Sequence, residues 1–262
     1  MARTVVSLIA FLVILFLILP LVVIIGSSLT TSSYLSFPPE GISLQWYVKV
    51  FEDQAYIQAF ILSTWLAFCA TVIAIVLGIS VALITARETF FGKDFLASLF
   101  NAPLIVPYLV IGSALLQFTS QLGFSQTFWS LLVGHVVIVT PFVIRAVYAL
   151  LDDSQLQLER ASADLGATPW MTFRYITLPL IRPGIVSGAF FAFITSWINV
   201  ELSMFHTNAS LNTTPVQLFN YVQYSVDPMI SAVSAITIFI SLIVIVVLDL
   251  TIGLDVFASD KK

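Results

Sequence analysis

The sequence predicts an all-α, polytopic membrane protein with about six transmembrane helices and a cytoplasmic helical loop between spans four and five. Three observations predict it. Hydrophobic residues make up 59% of the chain and charged residues only 9%, and with a mean hydropathy of +1.04 a soluble surface cannot be built. Apolar runs long enough to cross a bilayer, which takes roughly 20 residues each, occur at about 5–29, 59–86, 95–118, 127–150, 183–205 and 230–254. One polar, helix-breaking stretch, ERASADLGATPWMTFRYITLPL from Glu159 to Leu180, interrupts this pattern.

The first run begins like a signal peptide, but VVSLIAFLVILFLILPLVVIIG is too long for such a core and no small-residue cleavage site follows, so it reads as a retained helix. Next comes a loop, 30–58, with two prolines, a glycine and several serines, and an amphipathic piece from Leu44 to Phe51 suited to the interface. Span three carries Pro103 and Pro107, each of which removes a helix hydrogen bond and calls for a bend. Cys69 is the one cysteine, which excludes a disulfide framework, a cysteine metal site and a paired redox motif.

Basic residues favour the cytoplasmic ends of spans. With a cytoplasmic N-terminus, Arg3, Arg87, Lys93, Arg145, Arg160, Arg174, Arg182, Lys261 and Lys262 fall on the inner side and only Lys49 lies outside. Both termini are then cytoplasmic, with Asp249 near the inner interface. No basic cluster points to nucleic acid.

The loop at 151–182 has readable local chemistry. Ser154 with Gln157 has the spacing of a capping box, and Gly166 sits where a helix ends in a left-handed residue, predicting a helix over about 155–165. Thr168 as cap and Pro169 at the first position predict a second short helix over Trp170 to Ile176, ended by Leu178-Pro179. Ala161, Ala163 and Gly166 permit close approach, Glu159, Arg160 and Asp164 form a polar face, and Trp170, Met171 and Phe173 can anchor. An amphipathic helix resting on lipid is the bland alternative to a docking element.

This loop resembles the signature of ABC importer permease subunits, Glu-Ala-Ala, three residues, Gly, nine residues, Ile, one residue, Leu-Pro. Gly166, Ile176, Leu178 and Pro179 match in identity and spacing. Arg160, Ala161 and Ser162 occupy the leading triplet, so the usual Glu is an Arg and Glu159 is displaced by one. The stretches FPPEGISLQWYVKVFED and FNYVQYSVDPMISAVSAI are similar to the spermidine and putrescine branch. The resemblance implies a single transmembrane permease domain over 1–262 in the bacterial inner membrane, and it makes 151–182 a coupling loop whose contact residues include Glu159, Arg160, Asp164 and Gly166.

It further implies two ATP-binding subunits, a second and non-identical permease, and an extracytoplasmic solute-binding protein. ATP and Mg belong to the partner ATPase, and no cofactor or metal to this chain. The residues agree: Gly92-Lys93 is followed by Asp94 and lacks the glycine-rich approach of a phosphate loop. No metal-ligand cluster or nucleophile with a base points to an enzyme. An ion-coupled secondary transporter is the competing class.

For the pathway, Glu201 is an acidic residue late in span five, and such groups face a cavity or a partner. Trp197, four residues earlier on a helix, would share its face and offer an aromatic surface beside the carboxylate, with Asn199 between them and Tyr108 lining the cavity after the proline kink. The branch that the chain resembles implies a small cationic or zwitterionic amine such as a polyamine, and a single carboxylate points to fewer positive charges or a zwitterion. A second reading leaves Glu201 at the outer interface near His206. His135, near Gly134 and Thr140, reads as a satisfied packing group rather than a proton carrier.

Overall fold

The computed structural model describes the backbone of residues 2–252 and the side chains of 4–247 apart from 153. The side chains of Arg3, Asp249, Lys261 and Lys262 lie outside the described residues. The regular elements of the described backbone are all helical, with no β-strand among those residues. Two compact units form, Met1–Ala59 with Gln217–Ile243, and Phe60–Val216 with Val244–Lys262.

In the first unit, α1 (Ala2–Ser28) is apolar on every side, and its most apolar window has none of its residues buried. The helix α2 (Gln45–Glu52) is the amphipathic piece seen in the sequence. Its Trp46 is buried and donates its indole N–H to the Thr30 carbonyl at 3.1 Å, while Tyr47 and Ser28 share a hydrogen bond of 2.7 Å. These bonds fix the loop to the end of α1. Near the other end of the unit, the Tyr221 hydroxyl donates to Asp227 at 2.7 Å, and Asp227 in turn accepts the Met229 amide at 3.0 Å.

In the second unit, α3 (Gln54–Arg87) has 34 residues, about 51 Å at 1.5 Å per residue, so it outruns a hydrocarbon layer of about 30 Å and carries Arg87 past the apolar zone. Span three differs from the expected single kinked helix. It resolves into α4 (Lys93–Asn101), a 3-10 turn at Ala102–Leu104, and α5 (Tyr108–Gln121), with a 107° bend between the two halves. Pro103 sits within the 3-10 turn and Pro107 caps α5, so the two prolines together stop one helix and start another. Among the described residues five helices are long and apolar enough to cross a membrane, and six if the bent pair counts as one span.

The core of this unit is α6 (Phe128–Tyr148), begun by a capping box between Thr127 and Ser130 and buried through Leu131, Ile138, Val139, Val143 and Val147. It packs along α9 (Leu178–Ile198) at close range. A Cβ at Gly184 would lie 2.5 Å from the Ala146 carbonyl and one at Gly188 2.7 Å from the Val143 Cα, so glycine is what lets these backbones meet.

Candidate functional site: the loop between α6 and α9, and the break after α9

The loop begins with α7 (Asp153–Asp164). Its cap is not the expected Ser154. Asp152 accepts the Gln155 amide at 3.0 Å, and Ser154 instead donates its hydroxyl to Asp152 at 2.7 Å. A carboxylate two residues earlier is the stronger acceptor at a helix start. The Ser154 hydroxyl and then the Gln155 amide hold the Asp152 carboxyl below its ordinary range.

The end of α7 is as expected. Gly166 has φ +87°, its amide donates to the Ala163 carbonyl at 2.9 Å, and the Ala167 amide reaches back to Ser162 at 3.0 Å. These two bonds make a Schellman turn, which requires the left-handed residue. Nothing lies within 4 Å of a Cβ built at Gly166, so the demand is on backbone conformation and not on space. Thr168 then caps α8 (Pro169–Thr172) by accepting the Met171 amide at 3.3 Å, and Ser162 and Thr172 share a 2.7 Å hydrogen bond that staples α7 to α8.

Leu178-Pro179 does not end this second helix. A π-helical turn, Phe173–Thr177, joins α8 to α9, and the helical path runs without a break from Pro169 to Ile198. The wider turn sits just ahead of Pro179, where it relieves the clash between the ring and the preceding turn.

Glu159 also departs from the expected polar face. It points back into the fold, pairs with Arg87 at the end of α3 and accepts the Thr177 hydroxyl. Its side chain is only 11% exposed. Arg160, Ala161 and Asp164 stay open to solvent, together with Leu165, Trp170, Met171 and Tyr175. Ser162 is buried by its bond to Thr172, Ile176 and Leu178 are half-buried, and Pro179 is exposed. Phe173 is half-buried, with its ring 5.7 Å from that of Trp170. Arg87 and Thr177 were not singled out as partners in the sequence, because nothing in spacing ties Glu159 to a residue 72 positions away.

The second region is the break after α9. The helix ends at Ile198 and Asn199 is extended, so Trp197 and Glu201 do not share a helical face as the sequence predicted. Asn199 is what stops the helix. Its side-chain oxygen accepts the Leu202 amide at 2.9 Å and its carbonyl accepts the Ser203 hydroxyl at 2.7 Å, starting α10 (Ser203–His206). Trp197 is buried and donates its indole N–H to Thr64 at 3.1 Å, with its ring 6.0 Å from Phe60. Glu201 is exposed, close enough to half-buried Tyr108 to act on it electrostatically.

His135 of α6 holds the break from beneath. One ring nitrogen lies 2.7 Å from the Ser196 hydroxyl and the other 3.0 Å from the Ser203 hydroxyl, so one fully buried ring spans both sides of the interruption. Ser196 and Ser203 carried no signal in the sequence, since serines are common in membrane helices.

Residues 74–254 match the family described as binding-protein-dependent transport system inner membrane component. Two curated relatives are the spermidine/putrescine transport system permease protein PotC of Haemophilus influenzae, 32% identical over 92% of this chain and 93% of its own length, and the putrescine transport system permease protein PotI of Escherichia coli, 32% identical over 74% and 72%. Among solved structures, a bacterial ABC transporter for import of the polysaccharide alginate superposes with a TM-score of 0.72 at 15% identity, covering 95% of this chain and 93% of that one. The chain is a multi-pass permease of an ABC importer, and it belongs to the family of binding-protein-dependent inner membrane transport components.

Proposed function

We propose that this permease forms half of the pathway for a small amine of the polyamine class, and that its loop at 151–182 is the coupling element seated on an ATP-hydrolysing subunit. The observation that carries the amine reading is the similarity, over 92% of the chain, to a permease whose name specifies spermidine and putrescine, and over 74% to one whose name specifies putrescine. The exposed carboxylate of Glu201 beside Tyr108 suits an ammonium group. Solute arrives from an extracytoplasmic binding protein, in keeping with the family's description, and a second, non-identical permease completes the pathway. The bias of basic residues favours cytoplasmic termini, with the loop 30–58 outside and 151–182 inside.

The coupling reading is supported by the shape of that loop. Leu165 is 90% exposed and Trp170 68% exposed on an element held by the Gly166 turn and the Ser162–Thr172 hydrogen bond. A rigid surface with bare apolar side chains is suited to a protein partner. ATP and Mg sit on that partner, and the chain itself performs no hydrolysis.

The test is uptake of labelled putrescine by cells carrying the whole transporter. Wild-type uptake should stop when the partner's ATP hydrolysis is blocked, and Glu201→Gln should raise KM about tenfold, the effect of losing one charge contact. Uptake sustained by the purified chain alone would favour an ion-coupled carrier.

A further inference from the structure

We propose that the chain carries a binding site for one anionic phospholipid headgroup, in the cavity enclosed by α3, α4 and α6. The cavity holds about 420 Å³ and is lined by Lys93, Asp94 and Asn101 of α4, and by Arg145 and Tyr148 of α6. That volume is many times the roughly 15 Å³ that a single water needs, which is room for a glycerophosphate group. Its floor is apolar, through Phe100 and Ile144.

The depth of the cavity follows from α4. Phe95 and Leu99 lie four residues apart on α4 and are 72% and 55% exposed, and Phe91, in the turn before the helix, is bare as well. Lys93, Ala97 and Phe100, on another face of the same helix, line the cavity instead. A short helix bare and apolar on one face, and turned 107° from the helix that follows it, is built to lie in the plane of the membrane interface. The cavity behind it therefore opens at the level of lipid headgroups.

Charge selects the ligand. Neither Lys93 nor Arg145 takes part in an ion pair among the described residues. Arg145 is aimed by a 2.8 Å hydrogen bond from its Nε to the Asn101 side chain, which leaves its terminal nitrogens for a ligand, and Asn101 is held by its own 2.7 Å bond to the Ala97 carbonyl. Two cations and the Asp94 carboxylate leave one net positive charge. That positive balance attracts a phosphodiester anion and gives no hold on a headgroup of zero net charge, and the apolar residues beside it favour a phosphate that carries acyl chains over a free phosphate ester. Basic pockets at this depth between membrane helices are suited to such headgroups. The inference needs only a membrane location and does not rest on the transported solute.

The experiment is native mass spectrometry of the full-length chain in mild detergent, titrated with phosphatidylglycerol, phosphatidylcholine or glycerol 3-phosphate. One phosphatidylglycerol should stay bound where phosphatidylcholine does not, and Lys93→Gln should weaken it about fivefold. Lys93→Arg should retain it, and an unchanged far-ultraviolet spectrum of both variants will separate lost binding from lost folding. Equal retention of phosphatidylcholine, wild-type binding by Lys93→Gln, or displacement of the lipid by glycerol 3-phosphate would each overturn the assignment.

Discussion

Arg87, closing α3, and Glu159, midway along α7, form an ion pair although 72 residues separate them in the chain. Glu159 also takes the hydroxyl of Thr177, so one carboxylate ties together a membrane helix, the loop helix and the π turn. The loop is thus part of the fold and not a loose connector.

Losing either partner strands a half-buried charge, and Arg87→Gln or Glu159→Gln should each lower stability by about 2 kcal/mol. The double variant should cost less than the sum. Thermal unfolding in detergent of the four proteins checks this, and strictly additive losses would mean that the pair contributes nothing as a pair.

Gly166 is constrained by its dihedral alone, since the space beside it is open. Gly166→Asn should therefore be tolerated almost fully, whereas Gly166→Val should cost about 1–2 kcal/mol. Stability should rank Gly, Asn, Val; a large penalty for Asn would point to a steric neighbour instead.

The two hydrogen bonds of His135 lie in the most buried part of the second unit. His135→Ala should cost about 3 kcal/mol, combining a cavity with the stranded Ser196 hydroxyl, since Ser203 keeps its bond to the Asn199 carbonyl. Ser196→Ala combined with His135→Phe should recover part of that loss, because fewer polar groups are then left unpaired. Chemical denaturation of the two variants beside the wild type measures it.

Burial, and then the hydrogen bond to Asp227, push the Tyr221 phenol up to about 12 from an ordinary value of 10.0. The folded chain keeps this proton where the unfolded chain has lost it. Its stabilising contribution is complete below pH 10 and declines as the pH rises from 10 to about 12. Unfolding curves across that window should fall more steeply for the wild type than for Tyr221→Phe.

The membrane class, the helical content and the loop's turn at Gly166 were legible because composition, apolar run length and glycine chemistry are local properties. Thr168 and Pro169 were legible for the same reason. The failures share a cause as well. Asp152 displaced Ser154 as a cap because a charged acceptor outcompetes a hydroxyl, Pro179 was accommodated by a π turn that leaves no mark in the sequence, and Glu159 turned inward toward an arginine no spacing rule could find. The Trp197–Glu201 face failed because Asn199 captured the backbone of Leu202 and Ser203, which is a choice between helix and turn that tertiary packing under His135 decides.

The uninterrupted path from Pro169 to Ile198 spans 30 residues, about 45 Å at 1.5 Å per residue. On the coupling reading proposed above, such a member would act as a lever. A few degrees of tilt imposed where Trp170 and Leu165 protrude would sweep the opposite tip by several ångströms, and that tip is hinged at Asn199 against the imidazole that spans it.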